Sequence, residues 1–126
     1  MPQNYRFVFF GTPKLSVHVL NALETKGLVP ALVVTAPDKK AGRGQKLTPS
    51  PVKEWALEHS IDVLTPDNLK DPSLLGTLEN TEWDFFVVAA YAKILHKVIL
   101  DIPRKGILNV HPSLLPQFRG ASPVES

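Results

Sequence analysis

Asn109 and His111, two residues apart in ILNVHPSLLPQFRG, are the side chains best suited to chemistry in this sequence. Residues i and i+2 of a strand share a face, so the pair would point the same way at a strand's carboxyl end. An imidazole that titrates near neutrality can take a proton from an amine or stabilise a developing oxyanion, and a side-chain amide can polarise a carbonyl oxygen. Together they suit acyl transfer to nitrogen. The sequence has no cysteine, and no serine sits in a nucleophile elbow, so direct attack by the acceptor amine is favoured over a covalent enzyme intermediate. The plainer reading of His111 is a strand-end histidine satisfied by backbone carbonyls, and residue type leaves both readings open. His18, His59 and His96 lie singly on predicted helices without ligand spacing. They read as surface positions, and no metal site is expected.

Two further segments could bind a ligand. Gly11, Thr12 and Pro13 form a tight turn into a helix N-terminus, which suits an anion or is simply an ordinary connection. It is no dinucleotide fingerprint, because positions 13 and 16 hold Pro and Ser where glycines would be needed. AGRGQKLT is no Walker loop either, since Lys46 does not follow a glycine. The stretch from Ala36 to Ser50 is long for a strand-to-helix connection and reads as a mobile basic loop. Between Asp38 and Lys53 stand Lys39, Lys40, Arg43, Lys46 and Lys53 against one acid, a local +4 in a chain of net charge +2. The loop is either a solvated charged segment or an arm that neutralises phosphates, with Gly42 and Gly44 freeing the backbone around Arg43. No aromatic residue interleaves the charges, so base stacking is not signalled.

The elements that must position these groups follow from apolar runs alternating with amphipathic stretches. Five strands are predicted: Tyr5 to Phe10, Val29 to Thr35, Asp62 to Leu64, Asp84 to Ala89 and Gly106 to His111. Helices fit between them. Thr12 with Pro13, Ser50 with Pro51 and Asp71 with Pro72 each pair a capping residue with proline at the first helical position. Leu15, Val19 and Leu23 fall four apart, as do the apolar groups around Val52, Trp55 and Ala56 and around Leu74, Leu75 and Leu78. Parallel strands joined by right-handed crossovers give an α/β class, a doubly wound Rossmann-like parallel sheet with ligands gathering at the strands' carboxyl ends.

At 126 residues the chain fits one domain, and the lack of cysteine excludes a disulfide-stapled secreted scaffold. No apolar run reaches the roughly 18 to 20 residues of a membrane span, and no leader pattern opens the chain, so a cytoplasmic protein without membrane contact is expected. Ser122, Pro123 and Glu125 form a fourth helix-start signal just before the chain stops at Ser126. A helix needs roughly ten or more residues to be worth nucleating, so the expectation is a fold incomplete at its C-terminus, with an uncovered apolar edge open to non-native self-association.

Four segments together resemble the methionyl-tRNA formyltransferases, within the wider group of enzymes that use formyltetrahydrofolate. FFGTPKLS at 9–16 resembles the family's opening strand and turn, and APDKKAGRGQKLTPSPVK at 36–53 its basic insertion. VVAAYAKIL at 87–95 and NVHPSLLPQFRGASP at 109–123 complete the likeness. The last is shared with glycinamide ribonucleotide formyltransferases, whereas the basic segment singles out the initiator-tRNA enzymes. The resemblance implies a formyltransferase fold, of which residues 1–126 would be the N-terminal part of the catalytic domain, without the C-terminal tRNA-binding barrel.

It implies formyl transfer from 10-formyltetrahydrofolate to the α-amine of initiator methionyl-tRNA, without a metal. His111 would serve proton transfer and oxyanion stabilisation, and Asn109 would hold the formyl oxygen. Ser113, Leu114, Leu115, Pro116 and Gly120 would shape the folate pocket, with Val88, Ala89, Tyr91, Ile94 and Leu95 as the opposite wall. Lys39, Lys40, Arg43 and Lys46 would meet the tRNA. The family's catalytic aspartate lies further along than Ser126, so the 126 residues are expected to be an inactive fragment. The alternatives are another formyltetrahydrofolate-dependent transferase or hydrolase, which would not need the basic segment, and a non-catalytic RNA-binding module.

Overall fold

The β-rich runs Phe7–Gly11 (β1) and Phe85–Ala89 (β6) are apolar at every position, the pattern of strands covered on both faces. In a computed structural model, which describes residues 5–41, 44, 46–91, 95 and 97–110, they pair in parallel at the middle of a five-stranded sheet. Leu32–Val34 (β2) pairs with the other edge of β1, Asp62–Leu64 (β5) lies outside β2, and Ile107–Val110 (β7) lies outside β6. The order β5-β2-β1-β6-β7 reverses direction at β1, so the crevice between the carboxyl ends of β1 and β6 is the topological switch point.

Alternation sends the β1 side chains both ways. Phe7 and Phe9 join Val33, Val87, Val19, Leu20, Val52 and Trp55 on the face covered by Lys14–Thr25 (α1) and Pro51–Glu58 (α2). Val8 and Phe10 join Phe86, Leu74, Leu78 and Ile99 on the face covered by Pro72–Glu79 (α3) and Lys97–Leu100 (α4). The sheet is doubly wound, as its pattern of runs predicted.

Two of the three described helix starts follow the expected chemistry. Ser50 Oγ accepts from Lys53 N at 3.0 Å and Asp71 Oδ1 from Ser73 N at 2.9 Å, each with proline in the first turn. The third does not. The N-cap of α1 is Pro13, with no side-chain cap, and the Thr12 hydroxyl instead accepts from Ala36 N across to β2. The buried face of α1 is also rotated from the spacing of Leu15, Val19 and Leu23: Leu15 is 42% exposed while Ser16 is fully buried. The Ser16 hydroxyl donates to Ala89 O at 2.5 Å, which fixes the helix rotation at its first turn.

The Ala36 to Ser50 segment is not a plain loop. Lys39–Ala41 (β3) and Lys46–Thr48 (β4) pair antiparallel, and the sequence hid this because the pairing is between backbones that carry lysines instead of an alternating apolar face. Lys53 Nζ bonds Asp38 Oδ1 at 2.9 Å, tying the base of this hairpin to α2.

Helix α2 closes in a Schellman motif, with Ile61 N bonded to Ala56 O and Ser60 N to Leu57 O. Ser60 takes φ +58° there, while the same motif after α1 uses Gly27 at φ +83°. A side chain in the left-handed region costs about 1–2 kcal/mol, partly offset by glycine's extra unfolded-state entropy. Ser60→Gly is therefore expected to stabilise the fold by about 0.5–1 kcal/mol, read as a rise in denaturant midpoint at constant m-value. His59, expected at the surface, instead stacks on Trp55 with ring centroids 3.8 Å apart and sits 3.1 Å from Glu24 Oε2.

Candidate active site

At the carboxyl end of the sheet one row of paired residues crosses all five strands: Leu64, Val34, Phe10, Val88 and Asn109. Paired residues share a face, so Asn109 is the polar end of an otherwise apolar row on the α3/α4 side. It is exposed, as an amide must be if it is to reach a ligand.

Next along the chain from Val88, Ala89 points to the opposite face and is fully buried there, so its methyl does not join Val88. Ala90 adopts φ +58°, a left-handed turn that redirects the chain after β6. Tyr91 follows, its ring edge-on to Phe10 at 5.6 Å, and both Tyr91 and Leu95 pack on the cluster that contains Val88. The structure thus gathers Val88, Tyr91, Leu95 and Asn109 on one face, and leaves Ala89 to fasten that face from behind through its carbonyl. Ile94, His111, Ser113, Leu114, Leu115, Pro116, Gly120 and Arg43 lie outside the described residues.

The Tyr91 hydroxyl is buried with no hydrogen-bond partner among the described residues, and burial pushes the phenol up to about 12 from 10.0. An acid whose folded pKa is raised keeps its proton in the native state while the unfolded chain loses it. Stability is then unaffected below pH 10 and falls as pH rises from 10 toward 12. Tyr91→Phe should flatten that alkaline decline, measured as urea midpoints at pH 9 and pH 11.5, and should not weaken the fold at pH 7, because no bond to a described residue is lost.

Behind the β1 and β2 ends lies a chain of hydroxyls that residue type alone did not reveal. Thr35 Oγ1, fully buried, lies 2.8 Å from Ser50 Oγ and donates to Thr12 Oγ1 at 3.4 Å. These bonds pin the end of β1, the end of β2 and the start of α2 to one another. The only sequence signal for them was a lone threonine closing the apolar run of β2. Above them the hairpin raises Lys39, Lys40 and Lys46, all exposed, and among the described residues no carboxylate lies within ion-pair distance of any of the three. Among the described residues no cluster of His, Cys, Asp and Glu is arranged to hold a metal ion, and no helix is long and apolar enough to cross a membrane.

This arrangement, an amide on the face of a parallel sheet at its carboxyl end with a basic hairpin two strands beyond the switch point, has relatives. The family model described as formyl transferase matches residues 5–126. The chain belongs to the formyl transferase family. Among curated members, the methionyl-tRNA formyltransferase of Chloroflexus aggregans is 50% identical over 119 residues, covering 94% of this chain and 38% of the relative. That of Stutzerimonas stutzeri is 48% identical over 125 residues, covering 99% and 40%. The chain therefore spans about two fifths of the length of these formyl transferases. Among solved structures, glycinamide ribonucleotide transformylase 1 from Geobacillus kaustophilus superimposes with a TM-score of 0.62 at 21% identity, covering 94% of this chain and 63% of that one. At that identity the likeness is one of fold, and it matches the parallel sheet described above.

Proposed function

We propose that the gene product carries a formyl group from 10-formyltetrahydrofolate to the α-amine of methionyl initiator tRNA. The observation that carries this reading is the lysine hairpin at the carboxyl end of the sheet, the same end as Asn109. A small amine acceptor has no use for such a surface, whereas an acceptor stem presents phosphates to it. Sequence identity near one half to relatives named for this reaction supports the same reading.

In the proposed mechanism the acceptor amine attacks the formyl carbon directly. The N–C bond to the acceptor forms, the bond from that carbon to the folate N10 breaks, and the amine proton passes by way of His111 to the departing nitrogen. Asn109 donates its amide N–H to the formyl oxygen as negative charge develops there. Val88, Tyr91 and Leu95 supply an apolar wall with one buried hydroxyl, a chemistry that suits a flat heteroaromatic ring. Ile94, Ser113 to Pro116 and Gly120 are assigned to the same folate pocket. Lys39, Lys40, Arg43 and Lys46 are assigned to the tRNA.

The test is formylation of charged initiator tRNA by the full gene product at several salt concentrations. Rate should fall steeply with salt, and the Lys40→Ala/Lys46→Ala double variant should reduce the magnitude of the log–log slope by roughly 1.4–1.8, about 0.7–0.9 per lost phosphate contact. A parent protein that formylates no charged tRNA, or a slope unmoved by the double variant, overturns the reading.

A further inference from the structure

Between the carboxyl ends of β1 and β2 and the hairpin lies a groove of about 360 Å³, within the roughly 300–1,000 Å³ of small-ligand sites. Pro13, Ala36, Pro37 and Pro49 make its walls largely apolar, and Lys39 and Thr12 add a cation and a hydroxyl. The formyl-transfer chemistry assigned to Asn109 does not use it. Building on the function proposed above, we infer that this groove seats the 3′-terminal nucleoside of the acceptor end. Its base lies among the proline rings, its phosphate against Lys39, and one of its acceptor atoms on the Thr12 hydroxyl.

Hydrogen-bond accounting supplies the donor. Lys53 N–H and Ala36 N–H can only donate, and they occupy Ser50 Oγ and Thr12 Oγ1. Thr35 has one hydroxyl proton and gives it to Thr12, so the 2.8 Å contact with Ser50 must use the serine's proton. The relay runs from Ser50 through Thr35 to Thr12. The Thr12 proton is left without an acceptor among the described residues, on a half-buried side chain that lines the groove. The Thr35-to-Thr12 bond thus sets the direction of the relay and leaves its last proton for a ligand.

Distance supplies the identity of the occupant. With strands about 4.8 Å apart, β7 is two strands from β1 and three from β2, so the groove lies on the order of 10–14 Å from Asn109. About seven covalent bonds separate an esterified α-amine from the glycosidic nitrogen of the nucleoside, on the order of 9 Å, and the base extends beyond that. The base therefore reaches the groove when the amine is at Asn109, and an amino-acid side chain falls short of it. The positive Lys39 side chain fits the adjoining phosphate, as charge complementarity requires.

The test is calorimetric titration of the full gene product with adenosine 5′-monophosphate, adenosine and inorganic phosphate. The monophosphate should bind in competition with charged tRNA. Ala36→Leu and Thr48→Tyr, which fill the groove from its wall and from the exposed hairpin, should each weaken it at least tenfold. Thr12→Val should weaken it about tenfold and Thr12→Ser should restore it, while Lys39→Ala should weaken the monophosphate more than adenosine. Groove-filling variants that fold and bind the monophosphate as tightly as the parent overturn the assignment, as does inorganic phosphate competing better than adenosine. If Ala36→Leu fails to fold, Thr48→Tyr on the hairpin surface gives the same reading. The two proposals fail separately. Nucleotide binding lost in the filled groove without any formylation of charged tRNA by the parent would sink the reaction, whereas formylation with an unused groove would sink the nucleoside site.

Discussion

Asn109→Ala should lower kcat for formyl transfer by about 10²–10³-fold with little change in KM for either substrate. That is the cost of removing one donor aimed at a developing oxyanion, about 2.7–4 kcal/mol of transition-state stabilisation. The expectation rests on position. Asn109 stands opposite Val88 on the edge strand β7, exposed, at the end of a row whose other members are apolar. An exposed edge residue whose side chain makes no hydrogen bond to another described residue contributes little to the fold, so the variant should melt within about 0.5 kcal/mol of the parent. Single-turnover measurement of formyl transfer separates the outcomes: a variant with parental kcat would show that the amide is not at the reacting carbon. A variant that loses only substrate affinity would move Asn109 from transition-state stabilisation to simple binding.

Gly11→Ala should damage the fold more than an added methyl at any other described glycine. Gly11 closes β1 at the switch point, opposite Ala89. A Cβ there would stand 2.7 Å from Ala89 O, 2.8 Å from Phe9 Cε2 and 2.9 Å from Ser16 Oγ. Two of the three atoms cannot retreat cheaply, since one belongs to the backbone of the neighbouring strand and another to a fully buried ring. The third is the hydroxyl that holds α1 to β6. Overpacking costs typically 1–3 kcal/mol, and loss of the Ser16 bond adds about 1 kcal/mol. A total of about 2–4 kcal/mol should lower the melting temperature by roughly 8–20 °C. Ser16→Ala in the same background tells the two parts apart: if the damage runs through the displaced hydroxyl, the two costs will fall short of adding.

The architecture was legible where the signal was local or strongly apolar. Ser50–Pro51 and Asp71–Pro72 mark helix starts because the cap and the proline act within one turn of their own backbone. Tyr5 to Phe10 and Asp84 to Ala89 read as buried strands because only a strand covered on both sides tolerates such apolar runs, and the structure places them at Phe7–Gly11 and Phe85–Ala89. The same logic failed at Thr12, whose hydroxyl had a better use across to β2 than on its own helix, and at Leu15, where a buried serine bond outweighed the apolar spacing. The β3–β4 hairpin was invisible because Lys39, Lys40 and Lys46 say nothing about backbone pairing. For the site, Asn109 could be named from residue type and strand parity. The Tyr91 hydroxyl, unpartnered among the described residues, and the Thr35 relay could not, since each depends on what another element withholds or supplies.

The pairing of β1 with β6 also sets a schedule for the newborn chain. Gly11 meets Ala89 and Arg6 bonds Asp84, partners 78 residues apart. At a synthesis rate of roughly 5–20 residues per second, one flank of the central strand emerges from the ribosome and waits on the order of 4–16 s for its neighbour. During that interval a run of phenylalanines with open backbone groups has no native cover, which makes this stretch the natural client of a chaperone and the first place where crowded synthesis would go wrong.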